Sequence, residues 1–202
     1  SGSAVYDKEN TSGFGTQENP PIVAMYTCHG DTEQQCIAYS TDYVNFAKYL
    51  NPVIPNAEKI DFRDPKVIPN PKGGWSVVLA AGAVEFYASE NLKEWRKTGE
   101  FGPEGNHSQG VWECPDLFPL TIDGEEKWIL IVSMGRNHET RARTQYFIGQ
   151  SYLNPLTKPE DGLFLAMVTF GRLPEQLAIH HATKGGGQLL ICTAGEGWYQ
   201  EE

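Results

Sequence analysis

The sequence is short of cysteine, of positive charge and of any long apolar run. Its four cysteines, Cys28, Cys36, Cys114 and Cys192, include no CxxC pair. That argues against a structural zinc site, which takes closely spaced thiolates. Sixteen Lys and Arg stand against 26 Asp and Glu, a net charge of −10. With no basic stripe to meet phosphates, nucleic acid is not expected as a partner, and an anionic membrane surface is disfavoured. No transmembrane run and no signal peptide can be read. The opening "SGSAVYD" has no initiator methionine and moves straight into a strand pattern. Helix signals are almost absent, and "SENLKEW" (89–95) fits a β-turn better than a helical one. His180 and His181 adjoin each other without nearby acids, so they are read as incidental. No metal and no cofactor is expected.

What is present is a globular composition. The chain has 202 residues, 40% hydrophobic and 11% aromatic, with 21 Gly and 13 Pro. Turns should be frequent and strands short. A chain this long can bury roughly 70% of its unfolded surface, so it needs no disulfide framework. Cys28 and Cys36 flank a polar turn, "CHGDTEQQC". They can meet across a hairpin or stay as free thiols, and free thiols are the expectation.

Three segments share one plan. "PIVAMYT" (21–27) leads to "CIAYSTDYVNFAKY" (36–49), "WSVVLAAG" (75–82) to "VEFYASENLKEWRKTG" (84–99), and "KWILIVSMG" (127–135) to "TQYFIGQSYLNPL" (144–156). Ser40 and Ser89 are 49 residues apart, as are Phe46 and Trp95, and Pro65 and Pro115 are 50 apart. A period near 50 with several strands per unit predicts a β-propeller. A β-sandwich would also give strands every 8–12 residues, but here whole units recur. The repeat sets "FRDPKV" (62–67) and "WECPDL" (112–117) in equivalent places, just before the first apolar strand of each unit. That strand is expected to line the propeller axis. Asp64 and Glu113 should then approach the same end of one central funnel, each stiffened by an adjacent proline.

Glu113 lies between Trp112 and Cys114. A glutamate in an apolar slot has its pKa pushed up, which suits a proton donor. The plainer alternative is a strand-end glutamate beside a core tryptophan.

Eleven segments, among them "SGSAVYDKENTSGFG", "NPVIPN", "DFRDPKV", "GVWECPDLFPL" and "TQYFIG", resemble in order the β-fructosidases of glycoside hydrolase family 32. The levanase and exo-inulinase branch is nearest, and the likeness covers residues 1 to about 150. The resemblance implies an all-β, five-bladed propeller. It implies retaining hydrolysis of terminal fructose from levan, inulin or sucrose. Glu113 maps onto the family's acid/base, and Asp64 onto the aspartate that grips fructose hydroxyls and stabilises the transition state. Arg63 would hold Glu113 and a sugar oxygen, with a purely structural salt bridge as its alternative. Ser3, Trp112 and Cys114 would line the sugar pocket, the last two limiting the hydration of Glu113. A fructose-containing oligo- or polysaccharide is the implied partner, and a secreted or periplasmic location the implied compartment.

Two departures qualify the likeness. The family's nucleophile lies upstream of "SGS", and no Asp here sits in a matching motif; Asp7, Asp42 and Asp61 read as structural or surface residues. The propeller is therefore expected to be incomplete, with about three clear blades over residues 1–150. Residues 151–202 are expected to be a divergent remnant of the following blade. The loop "GRNHETRAR" (135–143) is also unusual for the family. Catalysis by these residues alone is expected to be crippled. A non-catalytic fructan-binding remnant or pseudoenzyme is the competing reading. A fructosyltransferase of the same family is compatible with the motifs, whereas an arabinose- or xylose-cleaving relative is disfavoured by "NTSGFG" and "ECPDLF".

Overall fold

A computed structural model describes residues 1–56, 58–102, 111–135 and 143–155, together with strands at 166–170, 178–179 and 191–192; side chains are described as far as residue 149. Among the described residues every regular element is a β-strand. The first sheet is β1 (Gly2–Tyr6), β2 (Ile22–Cys28), β3 (Gln34–Ser40) and β4 (Ala47–Lys48). The second is β5 (Phe62–Pro69), β6 (Trp75–Ala81), β7 (Val84–Ser89) and β8 (Arg96–Phe101). The third is β9 (Trp112–Ile122), β10 (Glu125–Met134), β11 (Arg143–Pro155) and β12 (Ala166–Phe170). In each the strands lie in chain order and pair antiparallel, the four-stranded meander of a propeller blade. A short pair, β13 (Ala178–Ile179) and β14 (Ile191–Cys192), follows.

The phase of the repeat differs from the expectation. The "FRDPKV" and "WECPDL" motifs do not precede the inner strands; they are the inner strands β5 and β9, each at one edge of its sheet. Strand β5 packs against both β1 and β9. The apolar runs are the second strands, β2, β6 and β10. They are apolar because each is flanked by strands on both sides and packs on a neighbouring blade, β6 on one at each face. Period-two alternation on β6 makes this visible. Val77 and Leu79 join the core shared with the first blade. Val78 joins Trp112, Leu130 and Val132 in the core shared with the third. The third sheet also runs past residue 150, since that position falls inside β11 and β12 completes the blade. His180 and His181 lie outside the described residues, as do residues 136–142 of the unusual loop.

The outer turns repeat as the 49-residue offset requires. Asp42 accepts the amides of Val44 and Asn45, and Asn91 accepts those of Lys93 and Glu94. Tyr43 and Leu92 take the matching positive φ of 63° and 62°. The "SENLKEW" stretch is such an Asx turn, with no helix.

Candidate active site

The inner strands β5 and β9 carry the same defect. In β5 the register with β6 slips between Arg63 and Lys66. In β9 the register with β10 slips between Glu113 and Asp116. Each is a β-bulge, which re-aims side chains at a sheet edge. At each bulge a non-glycine residue adopts left-handed backbone, Asp64 at φ 60° and Cys114 at φ 46°. A proline follows both. Such conformations are costly for side-chain-bearing residues and persist where the surroundings impose them.

The bulges define the equivalences: Arg63 with Glu113, Asp64 with Cys114, Lys66 with Asp116. All three equivalent pairs touch across the blade interface. Arg63 Nη2 donates to Glu113 Oε1 at 3.0 Å. The Cys114 amide donates to Asp64 Oδ2 at 2.9 Å, with its thiol at 3.5 Å. Lys66 Nζ pairs with Asp116 at 2.9 Å. The acids Asp64 and Glu113 are thus one position out of step, and that one step gives them different surroundings.

Asp64 is 8% exposed. Its carboxylate also accepts the Ser1 hydroxyl and stands 4.0 Å from Arg63 Nε. Burial by itself would raise its pKa. The hydrogen bonds from Ser1 and from the Cys114 amide and thiol outweigh that and hold the carboxyl below its ordinary value. Its backbone is fixed from the first blade. The Asp64 amide donates to Thr27 Oγ1 at 3.0 Å, Thr27 Oγ1 donates to Gln35 Oε1 at 3.0 Å, and Gln35 Nε2 donates to the Phe62 carbonyl at 2.7 Å. Gln35 is fully buried, so this chain of bonds is part of the core.

Glu113 is more open, with its side chain 36% exposed. Oε1 is taken by Arg63. Oε2 faces Gly135, where an added Cβ would lie 3.1 Å away. The apolar slot expected for Glu113 is absent. Strand alternation turns Trp112 to the other face, where it is fully buried and packs on Phe101 and Phe147. Trp112 is therefore a core residue and offers a sugar no surface. Cys114 is exposed, and its amide and thiol serve Asp64. Burial, then the neighbouring Asp64, raises its thiol pKa. Ser3 is likewise occupied: its hydroxyl donates to the Pro65 carbonyl at 2.9 Å and accepts the Val67 amide at 2.8 Å. It stitches β1 to the β5 bulge.

Arg63 is the hub. Besides Glu113 it pairs with Asp61 and, at 3.4 Å, with Glu33 from the β2–β3 hairpin. Burial works against its charge, yet the hydrogen bonds it donates to Asp61 and Glu113 outweigh that and raise its pKa. Asp64, at 4.0 Å from Nε, and Glu113, at 3.0 Å from Nη2, thus flank one guanidinium. Sequence reasoning found Arg63, Asp64, Glu113 and Cys114, and the structure brings these together. It missed Ser1, Thr27, Glu33, Gln35 and Asp61. The 50-residue spacing pointed at contacts between β5 and β9, whereas these residues lie on the first blade or just ahead of β5.

Three other aspartates singled out in the sequence have local partners. Asp7 is fully buried and accepts four bonds from the amides and hydroxyls of Thr11 and Ser12. Asp42 caps a turn and Asp61 pairs with Arg63.

A partial propeller thus places Arg63, with Asp64 and Glu113 beside it, at the head of its inner strands. The family model for the glycosyl hydrolases family 32 N-terminal domain matches residues 1–165, and the chain belongs to that family. It is 49% identical over 158 residues to the levanase of Bacillus subtilis, covering 74% of this chain and 23% of that protein. It is 39% identical over 182 residues to the extracellular exo-inulinase of Aspergillus niger, covering 74% of this chain and 34% of that one. The fold matches the exo-inulinase of Aspergillus awamori with TM-score 0.67 at 34% identity, over 84% of this chain and 39% of the other. A fructofuranosidase of Schwanniomyces occidentalis complexed with fructose matches with TM-score 0.67 at 34% identity, over 74% and 31%. The chain thus spans about a quarter to a third of the length of these curated relatives.

Proposed function

We propose that these residues supply the acid and the transition-state stabiliser of a β-fructofuranosidase that releases terminal fructose from levan, inulin or sucrose. The observation that carries this is the division of labour around Arg63. Asp64 is buried and held ionised by the hydrogen bonds from Ser1 and Cys114, and an ionised acceptor suits gripping hydroxyls while positive charge grows on the fructosyl ring. Glu113 is partly open to solvent and, among the described residues, only its Oε1 is engaged. Oε2 is the oxygen left to carry a proton to the leaving group, and Gly135 leaves space beside it. In the retaining scheme a third carboxylate attacks the anomeric carbon; by family resemblance it comes from a segment upstream of "SGS". Secretion or export to the periplasm accords with this reading, since the exo-inulinase relatives are named as extracellular.

One observation favours binding without turnover for these 202 residues by themselves. Asp7 and Asp42 are engaged in local turn bonds and Asp61 in the Arg63 pair, and none lies in a motif matching the family's nucleophile. The test is fructose release from sucrose, inulin and levan by the purified chain, alone and joined to a relative's nucleophile segment. Release only by the joined protein, abolished by Glu113→Gln, is expected. Turnover by the joined protein that survives Glu113→Gln would overturn the assignment.

A further inference from the structure

The connection from the first blade to the second runs from β4 to β5 and delivers Asp61 to Arg63. Its two ends are anchored. Val53 and Ile54 are buried, and Gln35 holds both: its carbonyl accepts the Val53 amide at 2.9 Å and its amide donates to the Ile54 carbonyl at 3.0 Å. Phe62 is buried in the core shared by the two blades. The turn between these ends has no such hold, for Ile60 is 83% exposed. Glu58 and Asp61 nevertheless take left-handed backbone, at φ 65° and 60°, which persists where the surroundings impose it. The bonds that impose it here are polar.

Lys59 makes them. Its amide donates to Asn56 Oδ1 at 2.7 Å, and its carbonyl accepts Asn56 Nδ2 at 2.9 Å. Its ammonium crosses to the second blade and donates to Glu85 on β7, with Nζ 5.8 Å from the centre of the Phe62 ring. Glu85 is buried, so the anchor is fixed in the sheet. It also accepts Lys97 Nζ at 2.6 Å and the Tyr87 hydroxyl at 2.7 Å. A buried carboxylate needs a compensating cation, but this one keeps Lys97 when Lys59 is removed. Glu85 can do without Lys59, whereas the turn depends on Lys59 for its hold on β7.

We propose that Lys59 is a positioning residue for the acid: seated on Glu85, it pins the turn that brings Asp61 to Arg63, and so sets the guanidinium that holds Glu113. This rests on the reading of Glu113 as the proton donor. The route is continuous. Lys59 bonds Glu85, Asp61 two residues later accepts Arg63 Nη1, and Arg63 Nη2 donates to Glu113 Oε1 at 3.0 Å. Glu33 reaches the same Nη1 at a longer 3.4 Å and is the weaker hold. Asp61 and Glu113 take different nitrogens of one rigid, planar fork, so a shift of Asp61 turns the plane on which Glu113 sits. Loss of the Lys59 bond frees the turn to leave its left-handed backbone. Glu113 then loses the orientation it needs to meet the leaving oxygen.

The first test follows hydrogen exchange of the Arg63 Nε–H and of the Ile60 and Asp61 amides by NMR, beside denaturation midpoints. Lys59→Met should speed all three protons several-fold and move the midpoint far less than Glu85→Gln does. Lys59→Arg, which can still reach Glu85, should restore slow exchange. Adding Lys59→Met to Asp61→Asn should speed the Arg63 proton no further than Asp61→Asn alone, because both cut one route. If Lys59→Met does not fold, Lys59→Gln is read in the same way. The second test is fructose release by the chain joined to a nucleophile segment. Lys59→Met should lower kcat on sucrose more than on an activated aryl fructoside, with KM changed less, the pattern of Glu113→Gln at smaller size. Three results would overturn the proposal: unchanged Arg63 exchange, a midpoint loss matching that of Glu85→Gln, or equal losses on both substrates where Glu113→Gln shows a preference. Faster Arg63 exchange together with no leaving-group preference in Glu113→Gln itself would uphold the Lys59 tether and overturn the reading of Glu113.

Discussion

Strands β5 and β9 are two copies of one device that have been put to different uses. Each has a bulge, a left-handed residue at the bulge and a proline after it. In β5 the left-handed residue is the acid, Asp64, and it is buried among donors. In β9 the acid, Glu113, comes one residue earlier, on regular strand backbone, and its side chain opens to solvent. The scaffold is repeated; a one-residue offset within it decides which carboxyl is buried among donors and which stands at the opening with Arg63. Two acids with separate roles need environments that differ, and a repeat that differs by one residue supplies them.

The comparison can be broken most severely at the partner they share. Arg63→Ala leaves Asp61, Glu33 and Glu113 without their cation. Stripping one partner from a buried ionic cluster typically costs about 3–5 kcal/mol; with Arg63 side chain 20% exposed, the lower end is expected. Arg63→Lys should recover only part, since an ammonium cannot fork between Asp61 and Glu113. Chemical denaturation of the chain measures both.

Asp64→Asn is next in size. It loses charge-assisted bonds worth about 1.5–3 kcal/mol in sum at neutral pH. The pH dependence gives a sharper check. The folded pKa of Asp64 lies below the ordinary carboxylate value, so its contribution is present above the unfolded value, about 3.9. It is lost as pH falls through the folded value. Asp64→Asn should flatten the acid side of the stability profile. Glu85, which pairs with Lys59 and Lys97 and not with Arg63, provides a control. Burial would raise its pKa, but Lys59, Lys97 and Tyr87 hold it below normal, so Glu85→Gln should flatten the same limb. If Asp64→Asn leaves the acid limb unchanged while Glu85→Gln flattens it, Asp64 is not held as described.

Glu113→Gln should be nearly silent in stability, within about 1 kcal/mol, because an ion pair of this exposure contributes little. A loss as large as that of Asp64→Asn would erase the distinction between the two strands.

Much of this arrangement can be read from the sequence, and the rest has identifiable reasons for hiding. The pairs Arg63–Glu113 and Asp64–Cys114 share the 50-residue offset of the prolines, so a repeat found in the sequence already contains them. The inner-strand position of the motifs is harder to see. Strands as polar as "FRDPKV" look like approaches to the apolar strands β6 and β10, when their polarity reflects one face turned to the channel. Trp112 misleads for a related reason. Adjacency in the chain suggests that it shields Glu113, but neighbours on a strand point to opposite faces. The supports from Thr27, Gln35 and Glu33 cross from the first blade at separations outside the repeat, so the spacing of the motifs does not reveal them.

The central claim is that Glu113 donates a proton while Asp64 stabilises charge, and leaving-group dependence tests it most directly. The measurement is the rate of fructose release from sucrose and from an activated aryl fructoside. It uses the chain joined to a nucleophile segment, as wild type, Glu113→Gln and Asp64→Asn. Glu113→Gln should lose about 10²–10⁴-fold on sucrose, the usual worth of general acid catalysis, and much less on the aryl fructoside, whose leaving group needs little protonation. Asp64→Asn should lose similar factors on both substrates. Equal losses on both substrates for Glu113→Gln, or a leaving-group preference in Asp64→Asn, would contradict the account.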